Sequence, residues 1–332
     1  MNAVKLADIA RELDLSVSTV SRAISGKGRV GEKTRARVLD AVRKSDYRIN
    51  DVARSLRMKT AKNMGIIVPD ISNSFFASVI KGAQQRCRES EYTLIVCNSD
   101  EDAAMEAEML HTLLSKQVSG LVLASVAESP SIIEQYGRLG VPIVYIDNLP
   151  GGVEDYDSVA IDNFTAARRL TLSMIDRGYR EIGMITGPGS QSSGILRREG
   201  FEAALRERDI VVRDEWICTG AFNMESGYLG MKRILALDRR PRAMMIANNN
   251  MAYGAIQALR EARMSVPGDM AIAAFDAMDP TGLITPRITS LNQPAQQIGR
   301  RAVEILLDRL ENTGNGDARV SLEPSFIDGD SW

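Results

Sequence analysis

From Met64 onward the chain alternates short β-branched runs with longer stretches of helical period, and it does so twice. The first round reads MGIIV, a helix near 75–90, YTLIVC, a helix near 102–116, GLVLA and PIVYI. The second reads SVAID, a helix near 163–177, EIGMIT, a helix near 193–208, AMMIA, a helix near 250–263 and MAIAAF. Strands joined through helices pair in parallel, and parallel sheets are covered by helices on both faces. The order therefore predicts two Rossmann-like α/β halves, with any ligand at the carboxyl ends of the strands. No GxGxxG or Walker A run is present, and TGPGSQSSG (186–194) reads as a Gly-rich strand-to-helix loop.

Ahead of this body lies a segment of opposite charge. Residues 1–60 hold 14 Lys/Arg against 7 Asp/Glu, whereas residues 61–332 hold 27 against 36. A basic head on an acidic body suits a polyanion as partner of the head alone. In LADIARELDLSVSTVSRAIS, Leu6, Ile9, Ala10 and Leu13 form one apolar stripe. A break follows at Asp14-Leu15, and Ser16 sits where a second helix needs its N-cap. That second helix carries Val17, Val20, Ala23 and Ile24 at helical spacing. A third, in EKTRARVLDAVRKSDY, offers Val38, Leu39, Ala41 and Val42 to close a miniature all-α core. The pattern is that of a helix-turn-helix.

Five of the ten residues 16–25 bear hydroxyls, which are poor helix formers. A helix lying in the DNA major groove gains from them, because short donors let its backbone approach phosphates closely. Ser16, Thr19 and Ser21 are expected on phosphate oxygens, and Val17, Ser18 and Arg22 on base edges, Arg22 pairing bidentately with guanine. The segment NDVARSLRMKT (50–60) also reads as helical, capped by Asn50, with Val52, Ala53 and Leu56 on one face. Isolated helices need about 12–15 residues to persist in water, so one this short must fold against something.

These runs identify the chain as resembling the LacI/GalR family of bacterial repressors. LADIA, SVSTVSRAISGKGRV, TRARVLDAV and YRINDVARSLR resemble its DNA-binding headpiece. VPDISNSFF, IVYIDN, LRREGF, ANNNMAYGA, AAFDAMD and ITSLNQP resemble its effector domain, which shares the fold of periplasmic sugar-binding proteins, to about residue 310. The resemblance implies a headpiece (1–49), a hinge helix and linker (50–61) and an effector-binding and dimerisation domain (62–332). The last would hold one lobe at about 62–160 and 292–318, and a second at about 161–291 and 319–332. It implies further DNA contacts at Thr34, Tyr47, Asn50 and Arg54, and a Leu56 wedge in the minor groove at the operator centre. Effector contacts carried over one by one fall on Phe75, Phe76, Asp147, Arg197, Phe222, Asn248 and Asp276. Chemically this set suits a polyol: carboxylates, an Asn and an Arg meet vicinal hydroxyls, and aromatic rings cover the apolar face of a sugar.

Four departures from the family pattern stand out. Asp14 replaces a turn Gly, Gly31 replaces a Ser cap before the third helix, Ile49 replaces a Pro before Asn50, and Asn249 replaces an Asp at the cleft.

The expected function is a ligand-responsive repressor, binding double-stranded palindromic operator DNA as a homodimer and a sugar or sugar derivative between its lobes. Arg197 leaves a sugar acid or sugar phosphate open as effector or co-repressor, with a nucleoside behind them. An enzyme would need a convergent base and nucleophile, and none is visible; Asp147 and Asp276 as a glycosidase pair is the one candidate. A transport-type sugar receptor would lack the basic head. No cofactor or metal is expected, because Cys87, Cys97, Cys218 and the single His111 have no zinc spacing. MNAVKLADIA has no signal-like apolar core, no run approaches a membrane span, and the C-terminal tail has no heptad repeat. The expected location is the bacterial cytoplasm, on the nucleoid when bound.

Overall fold

A computed structural model of the chain describes residues 6–25, 30–44, 62–126, 132–149, 156–277, 285–313 and 318–332. It divides into two compact units, Met1–Ala61 and Lys62–Trp332.

In the first unit, helices α1 (Leu6–Glu12), α2 (Val17–Ser25) and α3 (Glu32–Lys44) enclose Ile9, Ala10, Val20, Ala23, Val38 and Ala41. Leu39, expected in this core, is only half-buried, because it lies about 100° round the helix from the inward-facing Val38. The turn after α1 explains the first departure. Asp14 stands in the left-handed region at φ 55°, the Leu15 N–H donates to Ala10 O (2.9 Å), and the Asp14 N–H donates to Arg11 O (3.3 Å). This is a Schellman stop, and Asp tolerates its left-handed residue better than most side chains do. Two residues on, Ser16 Oγ accepts the Thr19 N–H (3.1 Å) and starts α2.

The second unit holds two six-stranded sheets. Chain order within it runs β1 (Asn63–Val68), α4 (Ser74–Glu89), β2 (Thr93–Asn98), α5 (Ala103–Ser115), β3 (Gly120–Leu123), α6 (Ile133–Arg138), β4 (Ile143–Ile146) and β5 (Asp157–Ala160). It continues through α7 (Asn163–Asp176), β6 (Ile182–Thr186), α8 (Ser192–Glu207), β7 (Ile217–Thr219), α9 (Met224–Leu235), β8 (Ala243–Ile246), α10 (Asn249–Glu261) and β9 (Ala271–Phe275). It closes with β10 (Thr289–Asn292), α11 (Ala295–Leu310), β11 (Arg319–Ser321) and β12 (Ser325–Ile327).

The first sheet has order β11-β5-β4-β3-β1-β2, all parallel. The second has order β12-β10-β9-β8-β6-β7, parallel except for β12 against β10. β3 and β8 are buried along their whole length, as near-continuous apolar runs under helices should be. The fold is thus the two-lobed α/β architecture that the alternation predicts. One assignment needs correcting. Residues 319–321, placed in the second lobe on the sequence, pair with Ser158–Ala160 and extend the first sheet. Only β12 returns to the second lobe, because α11 delivers the chain to the first.

The sequence reading also omitted α6, β7, α9 and α11. α11 packs on α4 through glycines: a Cβ at Gly82 would stand 2.0 Å from Gln296 O, and one at Gly299 2.0 Å from Val79 O. The two helix backbones are therefore in contact, which seats the start of α4 beside the strand ends. All three cysteines are free thiols, Cys87 and Cys218 buried and Cys97 half-buried. Among the described residues no helix is long and apolar enough to cross a membrane, and no group of acidic, His or Cys residues could hold a metal ion.

Candidate functional site

Two sites are built, one in each unit. In the first unit, Ser16, Val17, Ser18 and Arg22 lie exposed on α2, and Thr19 is half-buried at its start. Val17 leaves the apolar stripe and is 43% exposed, so it joins the outward face with Ser18 and Arg22. Ser16 Oγ binds the hydroxyls of Ser18 (2.9 Å) and Thr19 (2.8 Å) as well as the Thr19 N–H, so the hydroxyl residues form one local network at the helix N-terminus. A helix N-terminus with hydroxyl donors favours phosphate. Thr34 is half-buried in the first turn of α3. Ser21 lies within α2, and nothing is described of its side chain. Tyr47, Asn50, Arg54 and Leu56, with the whole expected hinge helix, lie outside the described residues.

The second site is an open cleft between the two lobes, and all seven expected effector residues line it. Six of them arrive there from the carboxyl ends of strands, and Arg197 reaches it from the second turn of α8. Phe75 and Phe76 open α4 after β1, their rings edge to face at 4.9 Å between centroids. Asp147 follows β4, Phe222 follows β7, Asn248 follows β8 and Asp276 follows β9. Asp147 (φ 59°), Phe222 (φ 56°) and Asp276 (φ 54°) all take the left-handed conformation. For Phe222 this is strained, and its surroundings hold it. Its carbonyl accepts from Asn248 Nδ2 (2.7 Å), and its ring lies on Gly187, where a Cβ would come within 2.1 Å. Asn248 itself caps α10, its Oδ1 accepting the Met251 N–H (2.9 Å). Its amide therefore positions the aromatic wall as much as it faces the cleft.

Arg197 is the central cation and is 2% exposed. Its Nε donates to Asn163 Oδ1 (2.8 Å), Nη1 donates to Ala247 O (2.6 Å), and the guanidinium lies 4.2 Å over the Phe275 ring. Nη2 has no hydrogen-bond partner and stands 3.9 Å from Asp147 Oδ1. Asp276 accepts the Gln293 N–H (2.8 Å) at one oxygen and Gln293 Nε2 (2.7 Å) at the other. Burial raises the carboxyls of Asp147, to about 6, and of Asp276, while Arg197 opposes the shift in both. Burial also lowers Arg197 from its ordinary value.

Sequence reasoning missed half of the lining. Asp70, Asn73, Glu101, Asn148, Ser193, Asn223, Asn249 and Gln293 also face the cleft. Several of them clasp the lobes together. Asn73 and Asn249 exchange amide hydrogen bonds at 3.1 and 2.9 Å. Asn148 Nδ2 donates to Gln191 Oε1 (2.9 Å), its Oδ1 accepts the Ser193 N–H (3.1 Å), and Gln191 Nε2 donates to Glu101 Oε2 (2.8 Å). The Gly-rich loop 186–194 thus ends in residues that tie α8 to the opposite lobe, and the Ser193 N–H in the first turn of α8 meets a side chain of the protein. Burial pushes the Glu101 carboxyl to about 7; the Gln191 bond opposes this, and Asp147, Asp70 and Glu106 add to it. The one available signal was position, since all of these residues but Ser193, which lies inside α8, closely follow a strand end.

Comparison with known proteins agrees with the geometry. Residues 5–54 match the family described as bacterial regulatory proteins, lacI family, and residues 61–327 match periplasmic binding proteins and sugar binding domain of LacI family. The chain is 33% identical, over 97% of its length and 95% of the relative's, to the HTH-type transcriptional repressor PurR of Pectobacterium atrosepticum. It is 32% identical, over 97% of its length and 96% of the relative's, to the ribose operon repressor of Haemophilus influenzae. The fold superimposes with a TM-score of 0.89 on the crystal structure of the lac repressor dimer bound to operator and an anti-inducer, at 22% identity, covering 99% of both chains.

Proposed function

The chain belongs to the LacI family of bacterial regulatory proteins, and from that premise we propose that it is a transcriptional repressor whose operator affinity is set by a small carbohydrate-like effector. It is a DNA-binding regulator and not an enzyme. The observation that carries the effector reading is the convergence of Phe75, Phe76, Asp147, Arg197, Phe222, Asn248 and Asp276 on one cleft between the lobes. Rings at its walls and hydrogen-bonding groups at its floor match the two faces of a sugar.

A homodimer presents two α2 helices to a palindromic operator in the cytoplasm, with Ser16, Thr19 and Ser21 on phosphates and Val17, Ser18 and Arg22 on bases. Thr34, Tyr47, Asn50 and Arg54 add backbone contacts, and Leu56 wedges a central minor-groove step. Occupancy of the cleft changes the angle between the lobes and with it the spacing of the paired hinge segments. A coupling of about 1–3 kcal/mol, usual for allostery, shifts operator affinity roughly 5- to 150-fold. Operator titrations with and without candidate sugars, on the wild type and on Asp276→Ala, test the reading. The variant is expected to bind operator and ignore the sugar; a variant that still responds with unchanged affinity places the effector elsewhere. Leu56→Ala is expected to weaken operator binding far more than binding to random DNA, which rests on phosphate neutralisation.

A further inference from the structure

We infer that the effector carries a protonated amine or another cationic nitrogen beside its hydroxyls, seated on the side of the cleft formed by Asp70, Glu101 and Asp147. This deepens the effector reading above and rests on it. Among the described residues four carboxyl groups line the cleft, Asp70, Glu101, Asp147 and Asp276, against a single cation, Arg197. Two of its nitrogens serve Asn163 and Ala247, and the third, Nη2, has no hydrogen-bond partner and faces Asp147 at 3.9 Å. An anionic ligand reaching Nη2 would sit beside Asp147 with three further carboxyl groups on the same cleft, so sugar acids and sugar phosphates are poor occupants.

A second observation is independent of the charge count. Gln293 Oε1 is buried in the cleft wall with no hydrogen-bond partner, while its Nε2 is spent on Asp276 Oδ2. A buried acceptor left in this way calls for a donor from outside the protein. Two donors of the lining, Arg197 Nη2 and Ser193 Oγ, are likewise without partners, and the hydroxyl oxygens of the effector meet those. A hydroxyl brings one donor, whereas an ammonium brings three and a charge. The raised carboxyls of Asp147 and Glu101 fit the same picture, since a bound cation relieves both the burial and the mutual repulsion that hold them up.

The test uses the full-length protein at pH 7.5, with thermal shift followed by calorimetry. Glucose, galactose, mannose and a disaccharide are each offered as the neutral sugar, the 2-amino sugar, the uronic acid and the phosphate. Within the set that binds, the amino form is expected to be tighter than the neutral form by roughly 10- to 100-fold, the range of a charge-assisted hydrogen bond. Glu101→Gln is expected to narrow that advantage. Equal or tighter binding of the neutral, acid or phosphate form overturns the inference and leaves the effector reading standing. So does an amino preference unchanged in Glu101→Gln. If no member of any set binds, the carbohydrate reading itself fails and this inference goes with it.

Discussion

Asn73 and Asn249, 176 residues apart, face each other across the cleft, and each amide donates to the other's carbonyl oxygen. Asn73 is held in this orientation because its Oδ1 also caps α4 by accepting the Phe75 N–H at 3.0 Å. Asn249 Nδ2 reaches Ser74 Oγ as well (3.2 Å). The departure at Asn249 therefore has a physical meaning. An Asp at 249 would turn an oxygen toward Asn73 Oδ1, whereas Asn completes a reciprocal pair between the lobes. Asn249→Asp is expected to cost about 1–3 kcal/mol, the usual penalty for leaving buried polar groups mismatched. A larger radius of gyration by small-angle scattering should accompany the lower thermal midpoint. The deficit should shrink toward pH 5, where a protonated Asp regains a donor; a variant indistinguishable from wild type at pH 7.5 rules the clasp out.

A second prediction concerns pH. Glu101 is raised from 4.5 to about 7, and Asp147 from 3.8 to about 6. Both groups hold protons more tightly folded than unfolded, so their contribution is present at low pH and is lost as pH rises through the folded values. The thermal midpoint of the ligand-free protein should rise as pH falls from 7.5 to 5.5. The groups facing Glu101 are Gln191, Asp147, Asp70 and Glu106, and those facing Asp147 include Arg197, Asp276 and Gln293. The double variant Glu101→Gln, Asp147→Asn should flatten the profile. A midpoint that falls with acidification across that window contradicts these assignments.

On α2, Arg22 and Thr19 separate two kinds of DNA contact. Arg22→Ala is expected to cost about 1–3 kcal/mol and to relax discrimination at one base position per half-site. Thr19→Ala should weaken binding to all sequences alike and reduce the salt dependence, as loss of a phosphate contact does. Uniform loss for Arg22→Ala would make it a backbone contact instead. Ser16→Ala, which removes the cap of α2, should lower headpiece stability by about 1 kcal/mol even without DNA.

Backbone contact between α4 and α11 gives a fourth prediction. Gly299→Ala places a methyl 2.0 Å from Val79 O and 2.9 Å from Ala83 N, neither of which can yield without moving a helix. A loss of about 1–3 kcal/mol or more is expected in denaturant titration. Gly31→Ser is the contrasting case, since a Cβ there meets nothing within 4 Å. It restores a hydroxyl cap ahead of α3 and should stabilise the headpiece by a few tenths of a kcal/mol. Equal effects of the two substitutions would show that contact distance does not govern either.

The sequence alone determined the parts that depend on neighbours along the chain. Continuous β-branched runs and the 3.6-residue period marked most of the parallel strands and five of their helices. The Asp14-Leu15 break and Ser16 fixed the turn and the start of α2. Strand-end position and family resemblance together brought all seven effector residues to one cleft. Even α11 was legible in principle, since Ile298, Ala302, Ile305 and Leu306 recur at helical spacing and are all buried. α9 was harder, with Gly227 and Gly230 inside it weakening the pattern.

Tertiary structure decided what lies between residues far apart in sequence. No local pattern shows that β11 joins the first sheet and β12 the second, because three-residue edge strands carry almost no periodicity. Nor does any local pattern pair Asn73 with Asn249, or Gln191 with both Asn148 and Glu101. Asn and Gln read in sequence as ordinary loop and cap residues, and only the approach of two lobes turns them into partners. The charge state of the cleft is likewise a property of the assembly. Asp147 and Glu101 are unremarkable carboxylates until burial removes water from them and places other carboxylates alongside. Desolvation and Coulomb repulsion act through space, and the chain's linear order does not encode those distances.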